Sequence, residues 1–432
     1  MASPKVSPLP HIVVIGAGFG GLAFVRHFPA PAARLTLIDR QNHHLFQPLL
    51  YQVATAGLAA VDIAQPVRTI FGGRPNLEVI MGEVTGFDLP GKRVRHTRGE
   101  LSYDYLVIAA GGVTNYFGHP EWEQVAPGLK TLDDALRIRR QVLCSFENAE
   151  TESDPAKREA AMSIVVIGGG PTGVELAGTF AELTRTVLNK DFDRIDPSKA
   201  RVLLIEGSPR VLATFPPELS ASAQRQLEKL GVEVRTGMRV EAIRRGEVVA
   251  GGQTIRADNI IWGAGVVAVP VARQLGVEAD RAGRIKVLPD LSVPGFPGVF
   301  AVGDIVTLVD AKGVTVPGVA QGAMQMGRHA ARVIARELRG EKLAPPGREP
   351  FVYRDKGSMA TIGRSAAVAD INGVHLSGYP AWLAWLTVHL LFLIGFRNRI
   401  SVLLQWTYSY LTYKRGARII TGLSGEKSAG SA

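Results

Sequence analysis

HIVVIGAGFGGLAFVRHFPAPAARLTLIDR, His11 to Arg40, opens on an apolar β-branched run, Ile12-Val13-Val14-Ile15, with the length of a buried parallel strand. Gly16, Gly18 and Gly21 follow in G-x-G-x-x-G spacing, then a helical segment, then a second apolar run, Leu35-Thr36-Leu37-Ile38, ending on Asp39. Each position has a task. Gly16 permits the tight turn out of the strand, Gly18 lets backbone approach a pyrophosphate, and Gly21 lets the helix pack on the sheet with its N-terminal amides facing phosphate charge. Asp39 can accept hydrogen bonds from ribose hydroxyls. The glycines alone are weak evidence in a chain with 48 of them; strand, glycines, helix, strand and acid in order specify a dinucleotide-binding βαβ unit.

The pattern returns at Ile164-Val165-Val166-Ile167, followed by Gly168, Gly170 and Gly173 in the same spacing, and by Val202-Leu203-Leu204-Ile205 ending on Glu206. The polar stretch Thr184 to Ala200 lengthens the second copy. Two copies predict two bound nucleotides, one per domain. A carboxylate at the ribose repels a 2′-phosphate, so Glu206 favours NADH over NADPH, with Arg210 close enough in sequence to keep the phosphorylated form open. Two further strands end in small residues, Tyr105–Ile108 into Ala109-Ala110-Gly111-Gly112 and Asn259–Trp262 into Gly263-Ala264-Gly265, which lets backbone pass close to a cofactor at Gly111 and Gly265.

At 432 residues, 46% hydrophobic and 20% charged, the chain is an ordered protein of two or three domains. Its net charge of +10 suits an anionic membrane face; no basic run with interleaved aromatics suggests a nucleic-acid groove. Cys144, the one cysteine, excludes an intramolecular disulfide, a cysteine metal cluster and a C-x-x-C redox pair, and reads as a buried small hydrophobe. His43 and His44 have no third ligand at a sensible spacing, so no metal is expected. The N-terminal MASPKVSPLP shows neither signal nor transit peptide character, and a reducing, cytosolic compartment is expected.

Between the motifs, Arg40 to Gly57 reads partly as loop, Leu77 to Val84 and Arg93 to Leu101 as strands of a meander, Asp133 to Asn148 as an amphipathic helix, and Glu150 to Glu159 as a linker. Gly298 to Asp304 is a short strand delivering an acid into a glycine turn. Ala320 to about Leu338 is a helix, and Pro345-Pro346 marks a boundary.

These pieces resemble the two-dinucleotide-binding-domain flavoproteins, and more narrowly the type II NADH:quinone oxidoreductases, from about Pro10 to the C-terminal region. The specific residues are Phe46-Gln47-Pro48-Leu49-Leu50-Tyr51-Gln52-Val53-Ala54-Thr55, Gly173-Val174-Glu175-Leu176-Ala177-Gly178, Ala320-Gln321-Gly322-Ala323-Met324-Gln325 and Tyr353 to Ala360. The resemblance implies an α/β fold in which an FAD domain (10–130 and 286–342) is split by an inserted NADH domain (160–285), with a membrane-associating region over 350–432. It implies that Gly16, Gly18, Gly21, Asp39, Arg40, Gly111, Gly303 and Asp304 hold non-covalent FAD, and that Gly168, Gly170, Gly173, Glu206 and Gly265 hold NADH. It places Glu175 near the nicotinamide–flavin contact, although helix-dipole charge accounts for an acid there equally well. Gln321 and Gln325, i and i+4 on one face, are assigned to the quinone, with Lys356 a possible electrostatic aid. The implied reaction passes hydride from NADH to FAD and two electrons to a membrane quinone, ubiquinone or menaquinone, without proton pumping. One cysteine sets the chain apart from disulfide reductases and sulfide:quinone oxidoreductases on the same scaffold. The alternatives are a soluble reductase of a ferredoxin-like protein and a non-enzymatic redox-responsive regulator.

Tyr379 to Phe396, YPAWLAWLTVHLLFLIGF, contains no acid, Lys or Arg, and His389 is its one basic side chain. Ile400 to Tyr413 carries four aromatics and a basic rim of Lys414, Arg415 and Arg418. In-plane docking on a bilayer at the cytoplasmic face, a single span over 379–396, and a buried interface of a homodimer are the readings open to this tail.

Overall fold

The computed structural model describes residues 9–29, 32–189, 191–341, 347–412 and 416–421. In chain order the principal elements are β1 (His11–Ile15), α1 (Phe19–His27), β2 (Arg34–Asp39), α2 (Leu50–Ala54), β3 (Leu77–Met81), β4 (Tyr105–Ile108), α3 (Leu132–Thr151), α4 (Pro155–Ala161), β5 (Ile164–Ile167), α5 (Pro171–Glu182), β6 (Val202–Ile205), α6 (Pro217–Lys229), β7 (Val232–Arg235), β8 (Asn259–Trp262), β9 (Phe296–Ala301), α7 (Ala320–Leu338), β10 (Ser358–Gly363), β11 (Ala366–Ile371), β12 (Val374–Ser377), α8 (Tyr379–Phe392) and α9 (Phe396–Thr412). They form two compact units. The first comprises Met1–His44, Gln65–Val113 and Val266–Asp355; the second comprises Leu45–Ala64, Thr114–Gly265 and Lys356–Ala432.

The first unit is built on a six-stranded sheet in which β9, β4, β1, β2 and β3 run parallel and Ser292–Val293 adds an antiparallel edge. Every residue of β1 is buried, as its unbroken apolar run requires. Helices α1 and α7 meet through glycine: a Cβ on Gly327 would stand 2.2 Å from the Gly20 carbonyl oxygen. Leu77–Met81 does not belong to the expected meander. It extends the parallel sheet beyond β2, in register Leu35↔Leu77 to Asp39↔Met81, whereas Val84–Asp88, Arg93–His96 and Gly99–Ser102 form the antiparallel meander. Alternation in sequence marks a half-buried strand but not its partner.

The second unit has a parallel sheet in the order β7-β6-β5-β8 and two antiparallel three-stranded sheets, one of them β10-β11-β12. Helix α5 packs on β10 at Gly178, where a Cβ would lie 1.6 Å from the Ile362 carbonyl oxygen. The expected linker at Glu150 to Glu159 is mostly helix. α3 runs to Thr151, and α4 starts at Pro155 with the Asp154 carboxylate capping the amides of Ala156 and Lys157. The expected loop after Arg40 contains the short helix α2. Cys144 is half-buried rather than buried.

The greasy tail also departs from one reading. Tyr379 to Phe396 is not one helix: α8 ends at Phe392, Leu393 turns extended, Gly395 takes φ +90°, and α9 starts at Phe396. The 14 residues of α8 rise about 21 Å, against roughly 30 Å of hydrocarbon. No helix among the described residues is long and apolar enough to cross a membrane. Met1 to Pro8, Pro345-Pro346 and Tyr413, Lys414 and Arg415 lie outside the described residues.

Candidate functional site

The two glycine loops are built alike, each within its own unit. Gly16 and Gly168 take φ +99° and +106°. A Cβ on Gly16 would lie 2.3 Å from the Ala109 carbonyl oxygen, and one on Gly168 would lie 2.8 Å from Ala264. Gly21 and Gly173 are equally constrained, since a Cβ there would stand 1.8 and 1.7 Å from the carbonyl oxygens of Gly16 and Gly168. The middle glycines differ: nothing lies within 4 Å of a Cβ built on Gly18 or Gly170. Open space thus sits at each loop, over the N-terminus of α1 or α5, where backbone amides favour an anion. The geometry fits a dinucleotide pyrophosphate at both places. Gly111, at φ +72°, also faces open space in the first unit.

The acids ending β2 and β6 do more than wait for a ribose. Asp39 accepts hydrogen bonds from the Ala17 amide at 2.6 Å and the Gln41 amide at 2.7 Å. Glu206 accepts from the Gly169 amide and, at 2.6 Å, from the Ser208 amide. In both copies the carboxylate braces the glycine turn from the neighbouring strand, and its remaining lone pairs stay available to a ligand. Burial pushes the Asp39 carboxyl above its usual range, against the pull of those amides and of Arg40, which is itself exposed. Arg210 is tied to the carbonyl oxygens of Phe215 (3.0 Å) and Ala213 (2.8 Å).

Also in the first unit, Gly303 takes φ +83° and its amide faces Met326 Sδ at 3.3 Å, with the half-buried Asp304 beside it. The two glutamines of α7 separate. Gln325 Nε2 donates to the Arg354 carbonyl at 2.9 Å, and its Oε1 accepts the Arg354 amide at 3.0 Å, so the side chain holds a strand of main chain. The Gln321 side chain is half-buried and makes no hydrogen bond to another described residue, which leaves its amide available to a ligand. His44 is buried with Nδ1 on the Ala17 carbonyl oxygen (2.9 Å), and burial lowers its pKa to about 4. Among the described residues no cluster could hold a metal ion.

In the second unit Glu175 lies in the first turns of α5, half-buried. Desolvation drives its carboxyl well above the usual range, opposed by the Thr361 amide of β10. Tyr51, buried in α2, is pushed up by desolvation and then by the nearby Glu175. Gly265 takes φ +74°, one residue past the Ala264 that abuts Gly168. Lys356 is exposed, its ammonium 6.0 Å from the Phe392 ring centroid.

Residues 46–64 assemble against the tail in a way the motif does not announce. Gln52 Oε1 accepts Trp406 Nε1–H at 2.8 Å. The buried Asp62 accepts from Ser401 Oγ at 2.8 Å and from Gln405 Nε2 at 2.9 Å. Tyr51 and Trp385 rings approach at 6.4 Å, and Phe46 meets His389 edge-on at the same distance. A cavity of about 50 Å³, lined by Tyr51, Gln52, Thr361, Arg364, Trp385 and Trp406, lies at this junction. Phe396, Leu404 and Leu411 of α9 are 79%, 63% and 78% exposed, with Leu391 of α8 at 62%. Large apolar side chains exposed along two consecutive helices mark an interaction face.

A pyridine nucleotide-disulphide oxidoreductase profile matches residues 10–327, and an NDH2 C-terminal domain profile matches residues 356–414. The chain is 44% identical to the type II NADH:quinone oxidoreductase Ndh of Mycobacterium tuberculosis, over 95% of this chain and 90% of that one. It is 29% identical to the type II NADH:quinone oxidoreductase of Staphylococcus haemolyticus, over 86% and 92%. A Plasmodium falciparum NDH2 structure in complex with NADH superposes with a TM-score of 0.86 at 20% identity, covering 96% of this chain and all of that one. A sulfide:quinone oxidoreductase from Aquifex aeolicus shares the fold, with a TM-score of 0.72.

Proposed function

The chain belongs to the type II NADH:quinone oxidoreductases, and from that premise we propose that it binds FAD non-covalently in its first glycine loop and NADH in its second, and reduces a membrane quinone. The observation that carries the assignment of two nucleotides is the duplicated brace. In each unit a positive-φ glycine, an uncovered middle glycine and a strand-end carboxylate bonded to the loop amide make the same pyrophosphate cradle.

Gly16, Gly18 and Gly21 would shape the cradle for FAD, with Asp39 toward its ribose, Arg40 outside, and Gly111, Gly303 and Asp304 along the rest of the cofactor. The chemistry FAD supplies when bound is acceptance of hydride and release of two electrons. Gly168, Gly170 and Gly173 would seat the NADH pyrophosphate, and Glu206 its adenosine ribose. Tethering of Arg210 by two carbonyls keeps its guanidinium from answering a 2′-phosphate, which supports NADH over NADPH. Glu175, held toward its neutral form by burial, would stand by as a proton-carrying group at the nucleotide side of α5. Gln321 would donate its amide to a quinone carbonyl, with Gln325 fixing the adjacent main chain through Arg354. Lys356 would add positive charge where quinone reduction builds negative charge.

The exposed apolar side chains of α8 and α9, with Arg397 and Arg399 exposed in the first turn of α9, suit in-plane docking on a bilayer. That places the enzyme where a lipophilic quinone is dissolved. The test is anaerobic: NADH is added to the purified yellow protein, flavin bleaching is followed, and a short-chain quinone is then added. Bleaching followed by rapid recovery is expected. Bleaching without recovery would point to a protein acceptor, and no bleaching would overturn the second loop as the NADH site.

A further inference from the structure

We propose that Phe117 is a positioning residue for NADH, its ring stacking on the nicotinamide half of the bound dinucleotide. This deepens the reading of the second glycine loop as the NADH site and rests on it.

Phe117 is 62% exposed and takes φ +51°, in the left-handed region that bulky side chains avoid. It is held there. Asn115 Oδ1 accepts the Phe117 amide at 2.8 Å, and Trp262 Nε1 donates to the carbonyl oxygens of both Asn115 (3.0 Å) and Ala264 (2.6 Å). The Phe117 ring stands 6.2 Å from the Trp262 ring at 56°. Its Cζ would lie 2.7 Å from a Cβ on Gly265, so the ring rests on that glycine with its far side toward solvent. Core packing does not explain a strained backbone that presents an aromatic ring to water. A ligand does.

The strand order names the half of the ligand. β5, which leads into the glycine loop, lies between β6, which is followed directly by Glu206, and β8, which leads into Gly263-Ala264-Gly265. A dinucleotide crosses the loop from one side to the other, and the acid marks the adenosine ribose. Gly265 and Phe117 are therefore on the opposite side of β5, where the nicotinamide runs. A flat aromatic ring offers the pyridine ring a stacking partner and no competing hydrogen bond.

The experiment measures NAD⁺ and ADP-ribose binding to the full-length flavin-loaded protein by calorimetry, in wild type, Phe117→Ala, Phe117→Tyr and Glu206→Ala. Phe117→Ala is expected to weaken NAD⁺ by roughly five- to a hundred-fold, the range for loss of one aromatic stacking partner. ADP-ribose, which lacks the nicotinamide, should keep its affinity, and Phe117→Tyr should restore NAD⁺ binding. Unchanged NAD⁺ affinity in Phe117→Ala would overturn the proposal. So would an equal loss of NAD⁺ and ADP-ribose, which would report a deformed loop instead. Glu206→Ala separates the underlying reading: it should weaken both ligands, and if it weakened neither, the second loop would not be the nucleotide site at all.

Discussion

Two glutamines one helical turn apart on α7 should respond to truncation in opposite ways. Gln325 makes two hydrogen bonds to the Arg354 main chain, at 2.9 and 3.0 Å, in a solvent-exposed setting. At the lower end of the usual net value per bond, Gln325→Ala should cost about 1–2 kcal/mol. For units of this size that is a fall in melting temperature of roughly 2–8 °C. The Gln321 side chain bonds no other described residue, so Gln321→Ala should leave the melting temperature within about a degree, since surface changes away from such features stay near ±0.5 kcal/mol. Losing the hydrogen bond proposed for Gln321 to a quinone carbonyl should slow flavin reoxidation about tenfold, the kinetic equivalent of about 1.4 kcal/mol. The assay is anaerobic stopped flow in two stages, flavin reduction by NADH and then reoxidation by quinone, beside differential scanning calorimetry. The reasoning is refuted if Gln321→Ala slows both stages equally, or if it destabilises the protein as much as Gln325→Ala.

Asp39→Asn leaves either the Ala17 or the Gln41 amide facing an NH₂ group. Loss of a charge-assisted bond of about 1.5–3 kcal/mol should loosen flavin at least tenfold, read as flavin released on ultrafiltration; unchanged retention would mean the brace is ornamental to binding. Glu175 has its folded pKa raised above the ordinary 4.5, so between those values the folded protein holds a proton the unfolded chain has lost. Stability contributed by this group is present in acid and lost as pH climbs from about 4.5 through the raised value, and Glu175→Gln should flatten that decline in a melting-temperature profile. An identical slope in the variant would rule the group out. Leu404→Glu with Leu411→Glu places charge on the exposed face of α9 and should release the protein from sedimenting lipid vesicles, with NADH-driven flavin bleaching preserved. Undiminished co-sedimentation would place the docking face elsewhere.

Much of the architecture is local and was therefore legible from residues alone. A β-branched run and glycines at fixed offsets are short-range signals: the turn at Gly16 takes a positive φ, and a Cβ on Gly21 would meet the Gly16 carbonyl five residues back, so both can be read from the motif. The helix expected over Ala320 to Leu338 also forms with those bounds. The exposed faces of the tail helices were foreshadowed by composition, though a count of apolar residues cannot see Gly395 turning the chain between them.

What required the tertiary structure shares one property: the partner is remote in sequence. The acid of each motif reaches back to its own glycine loop across 22 residues in one copy and 37 in the other. Gln325 is occupied because Arg354, 29 residues on, returns to it, and Asp62 meets Ser401 across 339 residues. Leu77–Met81 joins the parallel sheet because β2 offers it an open edge. Phe117 looks like any loop aromatic until Trp262 and Gly265 are seen to hold it facing water. Sequence by itself determined where backbone must turn and, at Gly21 and Gly173, where a side chain is excluded, because there the clash is with the carbonyl of a glycine five residues back. Which polar groups are already satisfied, and which remain for a ligand, was decided only by the folded chain, because a hydrogen bond depends on what arrives from elsewhere.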